Sequence, residues 1–218
     1  MSEVLDSLAA HGVVPVVAVD SAAQAAALAG ALAEGGLPVA EITFRTPAAE
    51  AAIAAVAGRG DVLVGAGTVV TPAQVDAAAA AGARFVVSPG TSRAVVERCR
   101  EHGLPVLPGA VTATEIQAAL ELGLDTVKFF PAEASGGVAA IKALSAPFPG
   151  VSFVPTGGVG PGNLADYLGL DSVRAVGGSW MVPAAAISAG DWTGIRDLAG
   201  DAVRRVAGLR SSGRAATP

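Results

Sequence analysis

Asp125-Thr126-Val127-Lys128-Phe129-Phe130-Pro131-Ala132-Glu133 reads as a short buried strand, hydrophobic and partly β-branched, that stops at a proline. Strand side chains alternate between faces, so Lys128 and Phe130 share one face and Val127 and Phe129 the other. Lys128 is one of two lysines in the chain. An ammonium in so apolar a run is costly to bury without partners. Two readings stand at this point. In one, the alkyl stem packs and the charged head is paired or reaches water. In the other, the amine is held uncharged often enough to attack a carbonyl carbon as a Schiff-base nucleophile.

The same unit recurs on both sides of this stretch. Toward the N-terminus, Leu104–Leu107 is a strand, Pro108-Gly109 its loop, and Thr112 with Glu115 makes a capping box for a helix ending at Gly123. Toward the C-terminus, a helix over Gly136–Leu144 precedes a strand over Val151–Val154, and a short helix runs from Pro161 to Leu168. Farther out, strands are expected at Val13–Val19, Val39–Phe44, Val62–Ala66, Ala83–Val87 and Val173–Val176. Helices fill the gaps, with Ser21 and Ser92 as caps and Pro47 and Pro72 in first turns. A helix over Glu3–His11 opens the chain, and a last helix runs from Trp192 to Val206.

Eight strands, each followed by a helix, is the count of a (β/α)8 barrel. The expected fold is therefore α/β: a single (β/α)8 TIM barrel with a short N-terminal helix. A doubly wound open sheet is the alternative. Against it, polar residues gather at the carboxyl ends of many strands: Glu41, Arg45, Thr68, Ser88, Lys128, Thr156 and Ser179. A barrel brings those ends to one mouth. One domain covers residues 1–208, and the small, polar segment 209–218 is expected to be a disordered tail.

Hydrophobic residues make up 52% of the 218, enough for a sizeable core. Gly, Pro and charges interrupt every apolar run before it could cross a bilayer. The acidic start Met1-Ser2-Glu3-Val4-Leu5-Asp6 lacks a signal peptide's basic region and apolar core. A cytoplasmic protein without a membrane partner is expected. The net charge of −5 gives no basic footprint for nucleic acid. Cys99, the only cysteine, lies in a helical stretch and reads as a packed small hydrophobe. His11 and His102 sit in no metal-ligand motif, which argues against zinc. Counting alone leaves a carboxylate-bound magnesium open. Lys142 lies in the helix after the lysine strand, where a solvated outer position is expected.

In Val39-Ala40-Glu41-Ile42-Thr43-Phe44-Arg45-Thr46, alternation puts Glu41, Thr43 and Arg45 on one face. A buried pair that merely closes the barrel end is one reading. With an inward Lys128 in the same barrel, a site is favoured: Glu41 could exchange protons and Arg45 could grip a carboxylate. A guanidinium and apolar walls would favour the neutral amine. Gly65-Ala66-Gly67-Thr68 permits close backbone approach and offers a hydroxyl at the mouth. Thr156-Gly157-Gly158-Val159 and Gly177-Gly178-Ser179-Trp180 follow strands seven and eight, the usual place of a phosphate cradle in such barrels, assisted by a short helix. Two ordinary tight turns are the plainer reading.

With these motifs, the chain resembles the class I KDPG/KHG aldolase family, which acts on 2-keto-3-deoxy-6-phosphogluconate (KDPG) and 4-hydroxy-2-oxoglutarate (KHG). The resemblance runs from Val13 to Asp191, and it also rests on Val86-Val87-Ser88-Pro89-Gly90. It implies a metal-free, cofactor-free homotrimer of barrels that reversibly cleaves KDPG to pyruvate and glyceraldehyde 3-phosphate. It further implies Lys128 as Schiff-base lysine and Glu41 as general acid/base. Arg45 and Thr68 would hold the carboxylate end, Phe130 and Pro89 would wall the pocket, and Thr156 would lie near the pyruvyl group. Gly157, Gly158 and Ser179, with Gly178 beside them, would bind the phosphate. Many relatives carry a basic residue near the end of the first strand, where this chain has Val19-Asp20. Rival readings are the galactonate epimer or KHG as substrate, a phosphate-binding isomerase or synthase without a covalent step, and a non-catalytic binding barrel.

Overall fold

The computed structural model describes residues 3–215, with side chains described to Ser211. The chain alternates α1 (Glu3–His11), β1 (Val13–Val17), α2 (Ala22–Glu34), β2 (Val39–Thr43), α3 (Ala49–Ala57) and β3 (Leu63–Gly67). It continues with α4 (Pro72–Ala80), β4 (Val86–Val87), α5 (Arg93–Glu101), β5 (Val106–Leu107), α6 (Ala113–Glu121) and β6 (Thr126–Phe129). Then follow α7 (Gly137–Ser145), β7 (Ser152–Pro155), α8 (Leu164–Leu168), β8 (Val176–Gly178), α9 (Ala184–Ala189) and α10 (Trp192–Ala215).

All strand pairs are parallel. Six strands form one sheet in the order β5-β4-β3-β2-β1-β8, and β6 pairs with β7 in a second. Isolated parallel bridges span the gaps, joining Gly109 to Lys128, Phe153 to Val173, and Thr156 to Gly177. Parallel strands buried on both faces need near-continuous apolar sequence, which Val13, Val14 and Val17 of β1 supply. The rings of Phe129 and Phe153 meet edge-to-face at 6.2 Å beneath the helices, and each fully buried ring contributes about 1.5–3 kcal/mol. Capping boxes start α4 at Thr71 with Gln74 and α6 at Thr112 with Glu115. Among the described residues no helix is long and apolar enough to cross a membrane.

Several boundaries differ from the sequence-based expectation. β1 ends at Val17, not Val19, and β4 and β5 shrink to two residues each. The eighth strand is Val176–Gly178 rather than Val173–Val176, because pairing with β1 begins only at Val13 opposite Val176. Ser92 precedes α5 but its side chain makes no capping bond. The helix α9 between Pro183 and Gly190 was not anticipated, being a short alanine-rich segment. The final helix passes Val206 and continues to Ala215. The expected tail is thus corrected to helix over 209–215, and 216–218 lie outside the described residues.

Candidate active site

A cavity of about 260 Å³ opens at the carboxyl ends of the strands. Its floor is Lys128. Although a lysine in a strand invites snorkelling, only 5% of this one is exposed. Its Nζ lies 3.2 Å from Oε1 of Glu41, which is 3% exposed. The pair is 87 residues apart in sequence. Parallel register delivers it: Glu41 stands opposite Val16 on one side and Gly65 on the other, and Lys128 opposite Val154. Space for the acid comes from β3, where a Cβ on Gly67 would collide with the Glu41 carboxylate. Nζ also sits 5.2 Å from the centroid of Phe130, which rises to the rim of the cavity. A cation over an aromatic face at that range is favourable.

Arg45 and Thr43 line the side wall. The Arg45 Nε–H donates to Thr43 Oγ1 at 3.0 Å, and the Thr43 hydroxyl donates to the Val17 carbonyl at 2.8 Å. The guanidinium is thereby anchored to β1 through its Nε, and among the described residues both terminal nitrogens are left for a bidentate partner. Thr68 adds a hydroxyl from the loop after β3. It holds φ of +58°, the only positive φ outside glycine among the described residues. For a β-branched residue that conformation is strained, and such strain gathers at functional sites.

The opposite wall is backbone. Gly157 and Gly158 have φ of +97° and +82° and line the cavity with Ser179 and Thr156. Successive amides in such a conformation form an anion-binding concavity. Pro89 completes the ring. Of the residues singled out in the sequence, Arg45, Thr68, Pro89, Lys128, Phe130, Thr156, Gly157, Gly158 and Ser179 meet in this cavity, with Glu41 just beneath it. Gly178 does not line it. A Cβ there would collide with the Trp180 ring, so this glycine makes room for the indole. Val16 and Val159 also face the cavity and were not anticipated. Alternation would have placed Val16 inward, but an apolar residue raises no flag for chemistry.

Other reactive side chains lie elsewhere. Burial pushes the Cys99 thiol up to about 12, so it remains protonated and inert. His102 contacts Asp76 on the surface at 2.7 Å. Among the described residues no group of three or more His, Cys, Asp or Glu could hold a metal. Lys142 is exposed, as expected.

The family described as "Aldolase: KDPG and KHG aldolase" matches residues 4–198. The chain belongs to this family. It is 48% identical over 199 residues to the 2-dehydro-3-deoxy-phosphogluconate aldolase of Treponema pallidum, covering 91% of this chain and 95% of the relative. It is 46% identical over 192 residues to the KHG/KDPG aldolase of Escherichia coli K12, covering 88% and 90%. Among solved structures it is similar to the KDPG aldolase of Legionella pneumophila, with pyruvate captured at low pH as a covalent carbinolamine intermediate. There the TM-score is 0.88 and the identity 40%, covering 92% of this chain and 98% of that one. In this chain a buried amine touches a carboxylate, and Arg45 lines the wall of the cavity that opens above them.

Proposed function

We propose that this chain is a class I aldolase that reversibly cleaves KDPG to pyruvate and glyceraldehyde 3-phosphate through a Schiff base on Lys128. The observation that carries the reading is the 3.2 Å contact between Lys128 Nζ and Glu41 Oε1 at the floor of the cavity. Moving one proton along that contact converts an ammonium–carboxylate pair into a neutral amine beside a carboxylic acid. The amine then adds to the C2 carbonyl of the substrate, and the acid returns its proton to the departing hydroxyl as water leaves. The iminium that results is an electron sink. Glu41, now a carboxylate, removes the C4 hydroxyl proton through a water. The C3–C4 electrons flow into the iminium, releasing glyceraldehyde 3-phosphate and leaving an enamine on Lys128. Protonation at C3 and hydrolysis free pyruvate and the amine.

Arg45 and Thr68 grip the substrate carboxylate, Phe130 and Pro89 confine its carbon chain, and Thr156 stands at the pyruvyl end. Gly157, Gly158 and Ser179 take the phosphate, so that binding energy remote from the reacting bond positions it. The strands close into an eight-membered ring, a reading supported by the isolated bridges at both gaps between the sheets. The working form is a cytoplasmic homotrimer, by analogy with the family. The chemistry needs no metal or cofactor, since the iminium supplies the electron sink. Borohydride reduction in the presence of pyruvate tests the covalent step: a reduced adduct on Lys128 is expected, and its absence would overturn the reading. Pyruvate release from the gluconate and galactonate epimers, compared in one coupled assay, is expected to favour the gluconate.

A further inference from the structure

One buried titratable group takes no part in the chemistry above. Tyr167 of α8 is fully buried, and its hydroxyl donates to Oε1 of Glu133, in the turn after β6. Burial first, then the Glu133 carboxylate, push this phenol above its ordinary range, which keeps it a donor. Glu133 itself is exposed. Its stem runs along the back of the glycine cradle, where a Cβ on Gly158 would lie 2.7 Å from the Glu133 Cβ. At the other end of the pair, a Cβ on Gly137 would lie 3.1 Å from the Tyr167 hydroxyl and 3.2 Å from Glu133 Oε1. Two glycines therefore make room for the pair, one in the cradle and one at the start of α7.

The loop has other anchors. Asn163 Nδ2 donates to the Gly158 carbonyl at 3.1 Å, and Asn163 Oδ1 accepts from the Gly160 N–H at 2.8 Å. The Glu133 N–H donates to the Gly157 carbonyl at 3.1 Å. These bonds do not involve the Tyr167 hydroxyl, so cutting its tether changes where a charge sits more than how the loop folds.

A carboxylate stem packed on a phosphate cradle poses an electrostatic problem, because like charges at close range cost binding energy. The structure answers it by turning Oε1 toward Tyr167 and Gly137, and Glu133 does not line the cavity. We propose that Tyr167 is a specificity-determining positioning residue: its hydroxyl parks the Glu133 carboxylate behind Gly158 and so lets the cradle accept a phosphate dianion. The inference rests on the aldolase reading. It adds a device that sets the preference for phosphorylated over unphosphorylated keto acids.

The test is steady-state kinetics of Tyr167→Phe in the full chain, with KDPG and with unphosphorylated 2-keto-3-deoxygluconate. The KM for KDPG is expected to rise roughly five- to tenfold, with kcat and the kcat/KM for the unphosphorylated acid held within about twofold. Adding Glu133→Gln removes the repelling charge and is expected to restore that KM to within about twofold of wild type. No rise, an equal loss on both substrates, or a rise that persists in the double variant would each overturn the proposal. Glu133→Gln alone gives an independent readout should Tyr167→Phe fold poorly: an unchanged or lower KM for KDPG supports the proposal, and a rise of more than about threefold overturns it. Borohydride trapping of pyruvate on the same proteins separates the two claims. Failure in wild type sinks the aldolase reading, whereas normal trapping with unchanged phosphate selectivity sinks only the role of Tyr167.

Discussion

The two ends of the cavity are built from different materials. The end that holds Lys128, Glu41 and Thr43 is made of side chains on β2 and β6, nearly dry and fixed by parallel register. The opposite end, with Gly157, Gly158 and Ser179, is made of loop residues just beyond β7 and β8. On the reading proposed above, bond making, which tolerates little misplacement, falls on the strand-borne side chains. Anion binding needs converging amides and accepts softer ground. Damage to Lys128 or Glu41 should therefore strike turnover, damage to the Thr43 anchor of Arg45 the grip on the carboxylate, and damage at the second end the affinity for the phosphate.

Lys128→Ala strains that division most. It is expected to lower kcat/KM by on the order of 10⁴-fold or more while circular dichroism shows the fold intact. Near wild-type pyruvate release in a coupled assay would break the covalent scheme. Glu41→Gln comes next, with kcat reduced by about 10²–10⁴-fold. Borohydride trapping of pyruvate should also slow in this variant, because Glu41 takes and returns a proton as the iminium forms, and trapping at the wild-type rate would confine Glu41 to the later proton transfers. Thr43→Val sharpens the picture within the rigid end. It removes the hydroxyl that anchors Arg45, and the KM for pyruvate in the condensation direction should rise roughly tenfold with kcat nearly unchanged. The smallest effect is on stability. Thr68→Gly relieves a strained φ, so its Tm should hold or rise by about 1–3 °C even as KM worsens. A fall of more than about 5 °C would show that the side chain holds its loop together.

The two ends were also unequally readable in the sequence. Lys128, Glu41 and Arg45 stood out because charges in β-branched strands are conspicuous and the period of two assigns their faces. The glycine pairs marked the loops, but not which glycine faces the ligand: Gly178 turned out to accommodate Trp180. Glycine also carries no alternation, which is why the eighth strand was placed three residues early at Val173. The bonds from Thr43 to Arg45 and from Tyr167 to Glu133 depend on side-chain direction and on tertiary proximity, and local pattern encodes neither. The helix α9 was missed for want of length, and α10 outran its apolar pattern on residues that carry weak helix signals.

The crowding of Gly67 against the Glu41 carboxylate has a practical outcome for anyone redesigning this protein. Even a methyl group at position 67 would unseat the acid, so combinatorial libraries gain nothing by sampling there. Val16 and Val159 line the cavity above the acid without a polar duty, and they are where a bulkier or smaller aldehyde acceptor should be accommodated first.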